Sequence, residues 1–143
     1  MGDRPDDPRC AKLVRVPQSL TDQAVRAAGW FLFADPDRPF SDTTIVKADT
    51  AVDGMCRPWG YQFFVFVDGT FSGTLSPLPM NARTDGSLVR VEAAGDDRLT
   101  AHYNRYAPTD PLCCPSRKST VTYRLDRAAT LLVPVSVKTE GTP

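Results

Sequence analysis

The stretch Tyr61–Ser76, "YQFFVFVDGTFSGTLS", decides how this chain is read. Its first arm, Tyr61–Val67, is aromatic and β-branched. Asp68-Gly69-Thr70 turns the chain, and Phe71–Ser76 returns it. Asp-Gly between two β-rich runs is the strongest short-range hairpin signal. Apolar residues occupy both faces of the first arm, which predicts a central strand with a helix over one side. Gly73 is expected to admit another backbone or a large ring close by.

Upstream, "PQSLTDQAVRAAG" predicts a helix. Ser19 or Thr21 can accept a backbone N–H at its start, and Asp22 favours the first turn. Leu20, Ala24, Ala27 and Ala28 recur at helical spacing with Val25 beside them, and Gly29 stops the run. Residues 44–48 read as a short strand, followed by a loop that contains Cys56. Downstream, 87–94, 98–106, 119–126 and 130–137 read as strands. Val121, Tyr123 and Leu125 alternate with polar neighbours, the pattern of one dry face and one wet face. Pro134 puts the last strand at an edge or ends it there. The expected fold is α+β: one N-terminal helix packed on an antiparallel meander sheet of about five or six strands. Residues 1–10 are expected to form a flexible arm tethered at Cys10, residues 11–137 a single domain, and residues 138–143 a tail.

The 143 residues suit one domain. Lys+Arg and Asp+Glu are both 17, so nothing draws the chain electrostatically to nucleic acid or to an anionic membrane. No apolar run is long enough to span a bilayer, and the first ten residues lack the apolar core of a signal peptide. Either the protein is cytoplasmic or an export segment is missing from this sequence. The cysteines arbitrate.

Cys10, Cys56, Cys113 and Cys114 are an even set that allows three pairings. Neighbouring residues of an extended segment point to opposite sides. Cys113 and Cys114 are therefore expected to reach separate partners, with Cys56–Cys113 and Cys10–Cys114 favoured and the swapped version close behind. A bridge from Cys56 to Cys113 closes a long loop and contributes roughly 4 kcal/mol by the chain-entropy model. Small disulfide-bearing domains belong outside the reducing cytosol, which points to an exported protein. The rival readings are weaker. Structural zinc needs spaced ligands, and His102 is the sole histidine. "CCPS" contains the C-x-x-S of a redox motif, but that motif should open a helix after a strand, and here prolines flank it and strands lie on both sides.

No catalytic constellation stands out. His102 is the one candidate histidine base, and no G-x-S-x-G elbow accompanies it. The Asp-Asp pairs at 6–7 and 96–97 sit in tail and turn settings. No residue pattern calls for a cofactor or a metal. The aromatic crowd from Trp59 to Phe71 is mostly core material, but Trp59, beside Arg57 and Pro58 on a loop, suits a partner contact. With the neighbouring "PLPMNAR" loop it defines an expected contact surface of Arg57, Trp59, Met80 and Arg83.

At "CRPWGYQFFVFVDGTFSGTLSP" and "NRYAPTDPLCCPSRKSTVTYRLD" the sequence resembles bacterial proteins of the LppP/LprE lipoprotein type. The resemblance covers roughly residues 50–137. It implies a cell-envelope protein, lipid-anchored or secreted, and supplies a compartment but no reaction and no catalytic residues. The expectation is a non-enzymatic, disulfide-stabilised extracytoplasmic domain that binds a protein or a small ligand. The alternative is an enzyme, a hydrolase or thiol–disulfide exchanger using His102 or Cys113/Cys114. A monomer is expected; Thr-rich strand edges are where a dimer would pair.

Overall fold

A computed structural model describes residues 2–82, 84–111 and 113–141. It contains one α-helix and ten strands, β1 to β10. The helix, α1 (Leu20–Ala27), starts where the sequence places it: Ser19 caps it, its side chain accepting from the Asp22 amide at 3.1 Å. Asp22 is buried and grips Arg15 through both carboxylate oxygens, at 2.6 and 2.8 Å. Ser19→Ala should lower the unfolding free energy by about 1 kcal/mol, the usual worth of such a cap; urea titration measures it.

β1 (Phe31–Leu32), β2 (Asp37–Phe40), β3 (Thr43–Val52), β4 (Pro58–Val67), β5 (Thr70–Thr74) and β6 (Met80–Asn81) form the first sheet. Its order is β1-β3-β4-β5, with β2 also on β3 and β6 also on β4. β4 and β5 are the quoted hairpin. Asp68 and Gly69 both take positive φ (48° and 79°), as a tight turn of that hand requires. β7 (Ser87–Ala93), β8 (Arg98–Arg105), β9 (Arg117–Asp126) and β10 (Leu131–Gly141) form the second sheet, a four-strand antiparallel meander in chain order.

This overturns the α+β expectation. The fold is β-rich, two antiparallel sheets with one short helix, and not a single meander beneath a helix. Each hairpin is where the alternation puts it, but the chain leaves the first sheet after β5 and β6 and starts another at β7. The main core lies between the sheets. Ile45, Tyr61, Phe63, Val65, Leu75 and Met80 come from the first, and Leu99, Ala101, Tyr103 and Tyr123 from the second. A smaller cluster of Val25, Leu32, Val46, Ala48 and Phe66 packs α1 onto the other side of β3 and β4. β4 is thus covered on both faces, as its sequence predicts. Gly73, at φ 146°, admits a close approach: a β-carbon there would stand 3.1 Å from Cβ of Leu132 on β10.

Residues expected as an arm lie against the sheet edge. Asp3 and Val52 exchange both backbone hydrogen bonds, at 2.9 and 2.8 Å, and Pro5 and Cys10 are buried. The expected tail from residue 138 continues β10 through Gly141.

Candidate functional site

Two of the cavities among the described residues have largely apolar walls. The larger, about 470 Å³, opens where β5 and β6 face the second sheet. Leu75, Pro77, Met80, Tyr103, Val121, Tyr123, Pro134 and Val137 give it an apolar wall, and Arg105 brings a charge. The Tyr103 and Tyr123 hydroxyls both donate to the Leu75 carbonyl, at 2.6 and 2.5 Å, stitching the sheets at the cavity floor. Burial pushes both phenols up, so each remains a neutral donor. Ser119 and Thr139 share a hydroxyl–hydroxyl bond of 2.8 Å along its wall. The alternation of β8 and β9 puts Tyr103 and Tyr123 on their inward faces, but only the pairing of two sheets brings them to one carbonyl.

The smaller cavity, about 300 Å³, lies between the N-terminal segment and the edge of the first sheet. Its walls are Pro5, Leu13, Val14, Leu32, Phe33, Val52 and Pro58, closed by the Cys10–Cys56 disulfide. One ionisable side chain lines it: Asp49, 3% exposed. Its Oδ1 is the one buried side-chain polar atom without a hydrogen-bond partner among the described residues. Burial pushes the carboxyl from an ordinary value near 3.8 up to about 7; its own backbone amide pulls weakly the other way. Asp49 escapes the sequence reading because residues 44–48 look like a complete strand. The signal is the continued alternation of Ile45, Lys47, Asp49 and Ala51.

The expected site residues fare differently. Cys10 bonds Cys56, and Cys113 bonds Cys114. The favoured pairing of Cys56 with Cys113 and Cys10 with Cys114 is therefore corrected. Opposed side chains are a property of extended backbone, whereas here the Cys114 amide donates back to the Pro111 carbonyl at 3.0 Å. Asp110 pins this exposed loop, accepting from the Ala107 and Ser116 amides at 2.6 and 2.8 Å. Those amides hold its carboxyl below the usual range.

Arg57, Trp59 and Met80 do not share one open surface. Arg57 donates to buried Asp53 at 2.8 Å, Trp59 is half-buried, and Met80 is buried in the inter-sheet core and lines the larger cavity. Arg83 lies outside the described residues. His102 Nε2 meets Glu92 Oε1 at 3.1 Å on the second sheet. Among the described residues no three His, Cys, Asp or Glu side chains gather where they could hold a metal ion.

The family model of the LppP/LprE lipoproteins matches residues 34–128, from just before β2 to just past β9. The matched span carries Asp49, Tyr103, Tyr123 and three of the cysteines; β10 and Cys10 lie beyond it. None of the curated proteins and none of the solved structures matches the chain.

Proposed function

We propose a function from one premise: the chain belongs to the LppP/LprE lipoprotein family. Such a protein is associated with the cell envelope, outside the cytoplasm. Within that address the chain acts as a non-enzymatic binding domain that holds a small amphiphile between its two sheets. Membership of a lipoprotein family supports a native protein attached to the membrane through a lipid. Disulfides suit this compartment, since thiols stay reduced in the cytosol.

The larger cavity carries the reading. Its volume of about 470 Å³ falls within the roughly 300–1,000 Å³ of ordinary ligand pockets. The apolar wall suits a hydrocarbon or ring, and Arg105 suits an acidic end group. A binding role is favoured over hydrolysis because the hydroxyls lining the cavity are engaged in structural hydrogen bonds. His102, the one histidine base, is set against Glu92 instead.

An anionic fluorescent amphiphile, 1-anilinonaphthalene-8-sulfonate, tests the proposal. It should bind one per chain. Val137 lines the mouth and is 69% exposed, so Val137→Trp narrows the entrance without touching the core. That variant should bind at least about tenfold more weakly at an unchanged melting temperature, a loss of about 1.4 kcal/mol or more. Equal binding by the variant would remove the larger cavity as the site.

A further inference from the structure

We propose that the smaller cavity, behind the Cys10–Cys56 bond, is a binding site for a small aliphatic primary amine whose ammonium group pairs with Asp49. The site is distinct from the inter-sheet cavity and does not depend on it. Three observations carry the assignment.

The first is the carboxyl itself. Asp49 sits on β3 opposite Phe31 of β1 and Tyr61 of β4, 3% exposed, with Oδ1 unmet by any described protein group. A buried carboxylate is costly unless an opposite charge or a set of donors meets it.

The second is that the arginines of the surrounding segments, and Lys47, are engaged elsewhere. Arg15 is held by both oxygens of Asp22 and donates to the Ala34 carbonyl. Arg9 goes to Asp3 and to the Asp53 carbonyl, Arg4 to Asp6, and Arg57 to Asp53. Lys47, two residues along the same strand, pairs with Asp37 at 3.3 Å and lies over the Phe63 ring. Apart from Lys12, exposed on the turn Ala11–Leu13, these segments have no basic side chain among the described residues left to complement Asp49, and a cation from outside the chain can do so.

The third is the shape and chemistry of the space. Leu32, Cys10 and Val52 are almost fully buried at its depth, while Leu13, 53% exposed, stands at its mouth. About 300 Å³ of aliphatic and ring surface with one acid suits a short hydrocarbon ending in an ammonium. A purely apolar guest would leave Oδ1 unmet. A guanidinium of the chain's own kind would leave most of its five donors facing apolar walls.

The test is calorimetric titration of the full chain at pH 8 with n-butylamine and, separately, n-butanol, each at matched ionic strength. Saturable one-to-one binding of butylamine is expected, with butanol at least tenfold weaker. Asp49→Asn should lose butylamine binding at least tenfold. Leu13→Trp closes the mouth with a residue that is already exposed, and it should lose binding to a similar degree while Asp49 stays in place. Butylamine binding that survives in both variants would overturn the site. Butanol binding as tightly as butylamine would overturn the ammonium assignment, and so would the absence of saturable butylamine binding to the wild-type chain.

Discussion

Replacing Cys10 and Cys56 together by alanine should lower the unfolding free energy by about 4 kcal/mol, whereas replacing Cys113 and Cys114 together should change it by no more than about 0.5 kcal/mol. The contrast follows from sequence separation. Cys10 and Cys56 are 46 residues apart, so their bond removes a large share of the unfolded chain's freedom. Cys113 and Cys114 are adjacent, so their bond closes no loop beyond one peptide unit. Neither member of the second pair is buried, and removing their sulfurs leaves no hole in a core. Urea titration of the two double variants measures the contrast. Proteolytic mapping of unreduced protein checks the pairing directly: the Cys10 peptide should emerge joined to the Cys56 peptide, with Cys113 and Cys114 in one fragment. Comparable losses from both double variants, or a Cys56 peptide joined to Cys113, would return the argument to long-range staples from the β8–β9 loop. The same bond walls the smaller cavity, so the Cys10/Cys56 variant should also lose butylamine binding.

Local pairing is legible in this sequence because a hairpin is specified by its turn and by period-two alternation. The β4–β5 turn at Asp68-Gly69, the outward-inward order of Val121, Tyr123 and Leu125, and the Ser19 cap all follow from residues within a few positions of one another. The division into two sheets does not. Each sheet buries one face, so a strand of the second sheet carries the same alternation as a strand of the first. Nothing in residues 77–86 marks the crossing from one to the other. The short strands β1, β2 and β6 carry too few residues to show a period. β3 runs on to Val52 past Asp49, whose charge looks like the end of a strand until the N-terminal segment is seen to cover its edge. The smaller cavity was hidden for the same reason: its walls come from residues 5–14, 32–34 and 49–58, joined by a pairing and a disulfide that no local pattern encodes. The turn that lets Cys113 meet Cys114 is likewise a matter of backbone direction, which adjacency alone does not give.

Between pH 4 and pH 8 the wild-type protein should lose about 4 kcal/mol of unfolding free energy that Asp49→Asn retains. The sign is set by where the proton is held. In the unfolded chain Asp49 ionises near its ordinary value of 3.8, whereas in the folded chain it does so at about 7. From pH 4 to 7 the native state keeps a proton that the unfolded state has released, so stability falls as pH rises through that window, by about 1.4 kcal/mol per unit. The stabilisation is fully present below pH 4 and gone above 7. Asp22, Asp42, Asp53 and Asp110 act in the opposite sense. Each is held below its ordinary value, and what they contribute is lost only as pH falls below about 4. Comparing the two profiles cancels those four and also cancels the fixed cost of placing an amide in the site. Of the nearby cations, Lys47, Arg4, Arg9, Arg15 and Arg57 are tied to other carboxylates, and Lys12 is exposed on the turn Ala11–Leu13. Denaturant titrations of both proteins at each pH give the difference, and parallel profiles would mean that Asp49 is met by a partner in the folded chain. An ammonium guest works against the loss. Bound beside Asp49 it favours the ionised form, and butylamine at a hundred times its dissociation constant should restore about 2.7 kcal/mol at pH 8. Asp49→Asn should gain nothing from the same addition, so one residue would account for both the alkaline weakness of the empty protein and its relief by an amine.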